Sequence, residues 1–161
     1  MCPIRKRADQ TKREAKRGRL WFAMSLLLAL SAVVVAIYFS GQSGEESHAL
    51  SRGIVAEILN LLGIEADDLL IGRINYFLRR GAHLTLYFCM GLGLTGVFCR
   101  QKRLPAWVPA MMLGVAFAAT DEFHQLFSGG RSGRIQDVFL DACGLAVGSL
   151  VAWLLRKHWI G

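Results

Sequence analysis

The strongest constraint on this chain is the run Leu20–Phe39, "LWFAMSLLLALSAVVVAIYF", which carries no charged residue. At ~1.5 Å per helical residue it is long enough to cross a hydrocarbon layer ~30 Å thick. A strip this apolar has no soluble resting place in a chain of 161 residues. Composition agrees. The hydrophobic share is 53% and the mean hydropathy is positive, a membrane-protein profile. The basic, then apolar N-terminus resembles a signal peptide, but the apolar part is too long and no small-residue cleavage pattern stands near Ser40, so it is expected to be an uncleaved anchor.

Three further apolar stretches follow, at about Ala82–Phe98, Ala106–Phe127 and Ile135–Leu155. The last two qualify as spans only if charged residues are admitted at their ends. Backbone groups in lipid must be satisfied within the segment, and no ten-residue alternation suggests a barrel. The expected fold is therefore an all-α integral membrane protein, a four-transmembrane-helix bundle. Residues 1–19 form a basic tail, 20–155 the membrane domain and 156–161 a short C-terminal end.

The net charge of +7 acquires a location in this scheme. Arg5, Lys6, Arg7, Lys12, Arg13, Lys16, Arg17 and Arg19 precede span one. Arg100, Lys102 and Arg103 follow span two, and Arg156 and Lys157 follow span four. With four spans these groups share one side, so both termini are expected in the cytoplasm. The tail reads as a topology signal and anionic-lipid contact rather than a nucleic-acid arm. Cys2, Cys89, Cys99 and Cys143 form no CxxC pair and read as small apolar residues. Trp21, Trp107, Trp153 and Trp159 suit an interfacial belt, and Met90, Met111 and Met112 fill helix packing.

The loop 40–80 falls on the opposite side. "SRGIVAEILNLLGI" places Ile54, Ile58, Leu61 and Leu62 on one helical face, with Val55 and Leu59 beside them. "DDLLIGRINYFLRR" is similar, with Asp67 as N-cap. Two short extracytoplasmic interfacial helices are expected between spans one and two, with a helical loop packed over the bundle as the alternative.

The same side holds the unusual polar residues. Arg79, Arg80, His83 and Tyr87 share a face of span two. Asp121, Glu122, His124 and Gln125 close span three. Arg131 and Arg134 lie in the turn, and Asp137 and Asp141 open span four. Asp141 is ~9 Å inside a helix that starts at Ile135. A charge at that depth costs a few kcal/mol unless paired or wetted, so these groups are expected to converge on one polar pocket. Gly91, Gly144 and Gly148 would let helices approach around it. The plainer alternative is that the pairs simply glue the helices together.

"FSGQSGEES", "FLRRGAHLTLYFCMGLG" and "ATDEFHQLFSGGRSGRIQDVFLDACGLAVG" resemble the hallmark segments of the VanZ family, small bacterial membrane proteins named after a teicoplanin-resistance factor. The likeness covers roughly Phe39 to Gly148 and singles out Arg80, His83, Tyr87, Asp121, Glu122, His124, Gln125, Arg131, Asp137 and Asp141. Arg80 departs from the lysine common in relatives but keeps the charge, and Gly129-Gly130 replaces a common Pro-Gly turn. The resemblance implies a link to glycopeptide resistance.

Three activities fit these residues. The first is recognition of an anionic or lipid-linked envelope precursor or a lipoglycopeptide. The glycine-rich turn, the start of span four and the arginines Arg79, Arg80, Arg131 and Arg134 would hold phosphate or carboxylate. The second is hydrolysis or transfer on a lipid-linked phosphate, with His83 or His124 as general base oriented by Asp121, Glu122 or Asp141. No cofactor is required by the sequence, although acids near a histidine can hold a divalent metal; "DEFHQ" lacks the paired histidines of HExxH. Ser128 and Ser132 read as turn and cap residues. The third is a small ion-coupled transporter, which four spans without an inverted repeat would perform only as an oligomer.

Overall fold

The computed structural model describes residues 3–42, 44–101, 103–125, 127 and 135–160. The described residues form five helices and no strand: α1 Pro3–Ser40, α2 Gly44–Leu61, α3 Asp68–Phe98, α4 Trp107–Gln125 and α5 Ile135–Ile160. Three of them, α1, α3 and α5, are long and apolar enough to cross a membrane. The chain is an all-α membrane protein. The 19-residue α4 is not among those three, because Asp121, Glu122 and His124 occupy its last turns.

Local chemistry explains the helix ends. Asp67 caps α3 as expected, its Oδ1 accepting from the Leu70 N–H at 2.8 Å. Pro109 sits in the first turn of α4, where a missing N–H costs no intrahelical bond. α1 starts at Pro3 and carries the basic residues into span one as one helix. One expectation changes: the second short helix does not exist as a unit. "DDLLIGRINYFLRR" continues without a break into span two as α3. No proline interrupts 68–98, so nothing stops the helix once Asp67 has capped it.

α3 and α5 lie side by side and run the same way. A Cβ on Gly144 would meet the Leu84 carbonyl, one on Gly148 the Phe88 carbonyl, and one on Gly91 the Leu145 backbone. Only glycine lets the two backbones come this close, so the expected role of these three residues is met. Ser149 Oγ donates to the Gly91 carbonyl at 3.5 Å along the same seam. α1 packs antiparallel on α3, with Gly93 against Ser25 and Ala29. α4 runs antiparallel to α5, with Gly114 against the Leu145 side chain. Ala32, Ala36, Tyr87, Met90, Ala118 and Leu145 form the core where these four helices meet. Outward, Leu27, Val34, Met112 and Phe139 are exposed, an apolar girdle around the bundle.

α2 lies over α3. Its Val55 and Leu59 are buried, whereas Ile54, Ile58 and Leu61 stay exposed. The neighbouring stripe, not the broader apolar face, is the one that packs inward. Arg52 on α2 holds Asp68 at the start of α3 at 2.6 Å.

Candidate functional site

Four helices bring polar residues to one end of the bundle. α1 and α4 finish there, and α5 begins there. The α3 face that passes through this end carries Asn75, Arg79, Arg80, His83 and Tyr87 at helical spacing. α4 contributes its last turn, in which Asp121, Glu122 and Gln125 are buried. α5 contributes Asp137 and Asp141 from its first two turns.

The pairings are specific. Arg80 Nη2 donates to Asp137 Oδ1 at 3.1 Å and ties α3 to α5, while its guanidinium also lies 4.8 Å from the centre of the Tyr76 ring. His83 Nδ1 stands 3.6 Å from Asp141 Oδ1, an ion-pair separation longer than a hydrogen bond. Gln125 Nε2 donates to Asp121 Oδ2 at 3.1 Å within α4. The His83 and Tyr87 rings lie nearly parallel, with centres 6.5 Å apart and planes at 16°. Asp121 and Glu122 are within electrostatic reach of both rings.

Several buried polar atoms at this end have no hydrogen-bond partner among the described residues, Asn75 Oδ1 and His83 Nδ1 among them, and two side chains stand out. The Asp141 side chain is 0% exposed, and neither of its oxygens has a hydrogen-bond partner among the described residues. The Tyr87 residue is also 0% exposed and its hydroxyl likewise has no partner. Buried polar groups are normally satisfied, and a lone buried carboxylate is the costliest kind to leave.

Asp141 opens onto a cavity of about 410 Å3 lined by Arg79, Arg80, His83, Glu122, Gln125 and Asp137 among others. Of the twelve residues expected to form the site, nine converge on this end: Arg79, Arg80, His83, Tyr87, Asp121, Glu122, Gln125, Asp137 and Asp141. His124 turns away. It is exposed, with Nδ1 at 3.5 Å from Ser40 Oγ, and closes the contact between the ends of α1 and α4. Arg131 and Arg134 lie outside the described residues.

The cavity wall also includes His48, Arg52, Asn75 and Tyr76, which sequence reasoning missed. Asn75 and Tyr76 prolong the Arg79–His83–Tyr87 stripe by one turn, so a continuous α3 would have revealed them. His48 and Arg52 sit one turn apart on α2, and no local signal places α2 beside this cavity. Among the described residues, no group of three His, Cys, Asp or Glu side chains is arranged to hold a metal ion.

The chain matches the VanZ/LLP1 family model over residues 24–156. No curated protein and no solved structure matches it.

Proposed function

The chain belongs to the VanZ/LLP1 family, and on that premise we propose that it is a four-span protein of the bacterial cell membrane whose polar cavity holds an anionic or lipid-linked envelope ligand. The fourth span is α4. It packs against α3 and α5, buries Asp121 and Glu122, and exposes Met112, Leu113 and Phe123 to the apolar girdle. With four spans the basic clusters fall on the cytoplasmic side with both termini. The cavity then opens at the extracytoplasmic end, with α2 over it at the interface. Through such a ligand the protein would bear on glycopeptide susceptibility.

Asp141 carries this reading. A carboxylate kept wholly buried without a hydrogen bond costs several kcal/mol and adds nothing to packing. A ligand that brings a donor to it, with Arg79 and Arg80 on its acidic part, completes the arrangement. The test is binding of phosphatidylglycerol to the full-length protein in detergent, read by native mass spectrometry. Asp141→Asn and Arg80→Gln should each weaken it about tenfold, the loss of one charge-assisted bond, with membrane insertion intact. Undiminished binding in both variants removes the cavity from consideration.

The His83–Asp141 pair favours a second reading, hydrolysis or transfer on a lipid-linked phosphate. Asp141 would orient the imidazole as general base, in the manner of a carboxylate-steered histidine. Release of phosphate from a polyprenyl phosphate that disappears in His83→Ala would establish it. No release by the intact protein would dismiss it.

A further inference from the structure

Two spaces meet at the polar end of the bundle. Beside the charged cavity runs an apolar groove of about 1100 Å3, bounded by α1, α2, α3 and the end of α4 and walled by Val35, Phe39, Leu50, Ile54, Phe77 and Leu78. Arg79, His83 and Gln125 line both spaces, so an apolar corridor leads directly into a charged chamber. The groove is larger than a typical small-molecule site, ~300–1,000 Å3, and its walls offer little to a compact polar ligand.

We infer that the groove receives the hydrocarbon chain of a phospholipid whose headgroup, carrying hydroxyl or ammonium donors beside its phosphate, fills the chamber. This rests on the reading of the cavity as a ligand site and specifies its ligand class. The donors are required by the polar accounting of the two spaces together. Asp137 is engaged by Arg80, and Asp121 by Gln125. Asp141 has His83 beside it at 3.6 Å but no hydrogen bond, and Asn75 Oδ1 and the Tyr87 hydroxyl are buried without a hydrogen-bond partner among the described residues. A bare phosphate supplies acceptors alone and would face Asp141 with like charge. A headgroup bearing O–H or N–H groups satisfies Asp141 while its phosphate meets the arginines. The chain gains no hydrophobic advantage over the surrounding bilayer, because lipid is as apolar as the groove. The groove acts by shape: it admits the lipid sideways from the membrane and sets the depth of its head.

Gly81 allows a clean test. It lines the groove but not the chamber, and a Cβ there meets nothing within 4 Å. Gly81→Trp puts a bulky ring into the corridor from a position outside the chamber lining, and Gly81→Leu serves if the larger residue disturbs folding. Full-length protein in detergent is titrated with dipalmitoyl phosphatidylglycerol and with the matching phosphatidylcholine, whose headgroup has no donor. Bound copies are counted by native mass spectrometry, and sn-glycerol 1-phosphate is added as the chainless head. Phosphatidylglycerol should bind about tenfold more tightly than phosphatidylcholine, the worth of a hydrogen bond to a charged group. Gly81→Trp should cut phosphatidylglycerol binding by about the same factor and leave the effect of glycerol phosphate unchanged.

Equal binding of the two lipids overturns the donor requirement. Full phosphatidylglycerol binding by Gly81→Trp, still sensitive to Asp141→Asn, overturns the groove and leaves the cavity reading standing. Insensitivity of all binding to Asp141→Asn defeats the cavity reading and this inference together. A variant that changes the proportion of dimer but not the lipid count assigns the groove to a second copy of the chain and overturns the inference.

Discussion

The two halves of the α3–α5 pair are built on opposite principles. From Leu84 onward the helices touch backbone to backbone through Gly91, Gly144 and Gly148, with Met90 and Leu145 fully buried around them. Nearer the polar end, the same helices are joined across a cavity by Arg80–Asp137 and His83–Asp141. The first half is dry, close and apolar. The second is open and carries a buried carboxylate without a hydrogen bond. Small residues secure helices in a membrane at little cost, whereas charges are an expensive adhesive there. The difference teaches that close packing resides in the glycine seam, while the polar end, on the reading proposed above, is kept for binding.

That contrast breaks most visibly at Gly148. Gly148→Leu drives a side chain into the Phe88 carbonyl; it should cost about 3 kcal/mol or more, seen as loss of folded protein after extraction and a lower unfolding temperature. The next largest effect has the opposite sign. Asp141→Asn exchanges a buried carboxylate, whose one close ionic neighbour is His83 at 3.6 Å without a hydrogen bond, for a neutral amide; it should raise stability by about 1–2 kcal/mol while weakening ligand binding. A destabilised Asp141→Asn protein would mean that the polar end is structural after all. Arg80 and Asp137 are each about one-third exposed, so a double-mutant cycle on thermal unfolding should return no more than about 1 kcal/mol of coupling. Smallest is Arg52–Asp68. The Asp68 side chain is 94% exposed, and Asp68→Asn should leave the unfolding temperature where it is.

Much of this was legible in the residues themselves. The charge-free run 20–39 announces a membrane helix, and Asp67 announces a helix start, because both depend only on neighbours in the chain. The periodic placement of Arg79, Arg80, His83 and Tyr87, and of Asp137 and Asp141, likewise follows from helical geometry. Sequence reasoning split α3 in two because the apolar signal weakens before Ala82, although the backbone has no cause to stop there. It placed His124 in the site because, three residues on, it shares a face with Asp121; the two positions still point ~60° apart on the helix, and His124 meets Ser40 on α1.

The sequence by itself determined the all-α membrane character, the helix starts and which polar side chains share a face, since hydropathy and the 3.6-residue period are local. Only the tertiary structure decided that Asp141 stands beside His83, that α2 brings His48 and Arg52 to the cavity, and that an apolar groove opens into it. Those facts depend on how closely glycine-lined backbones approach and how far charged side chains hold them apart, a balance of shape and charge between helices distant in the chain.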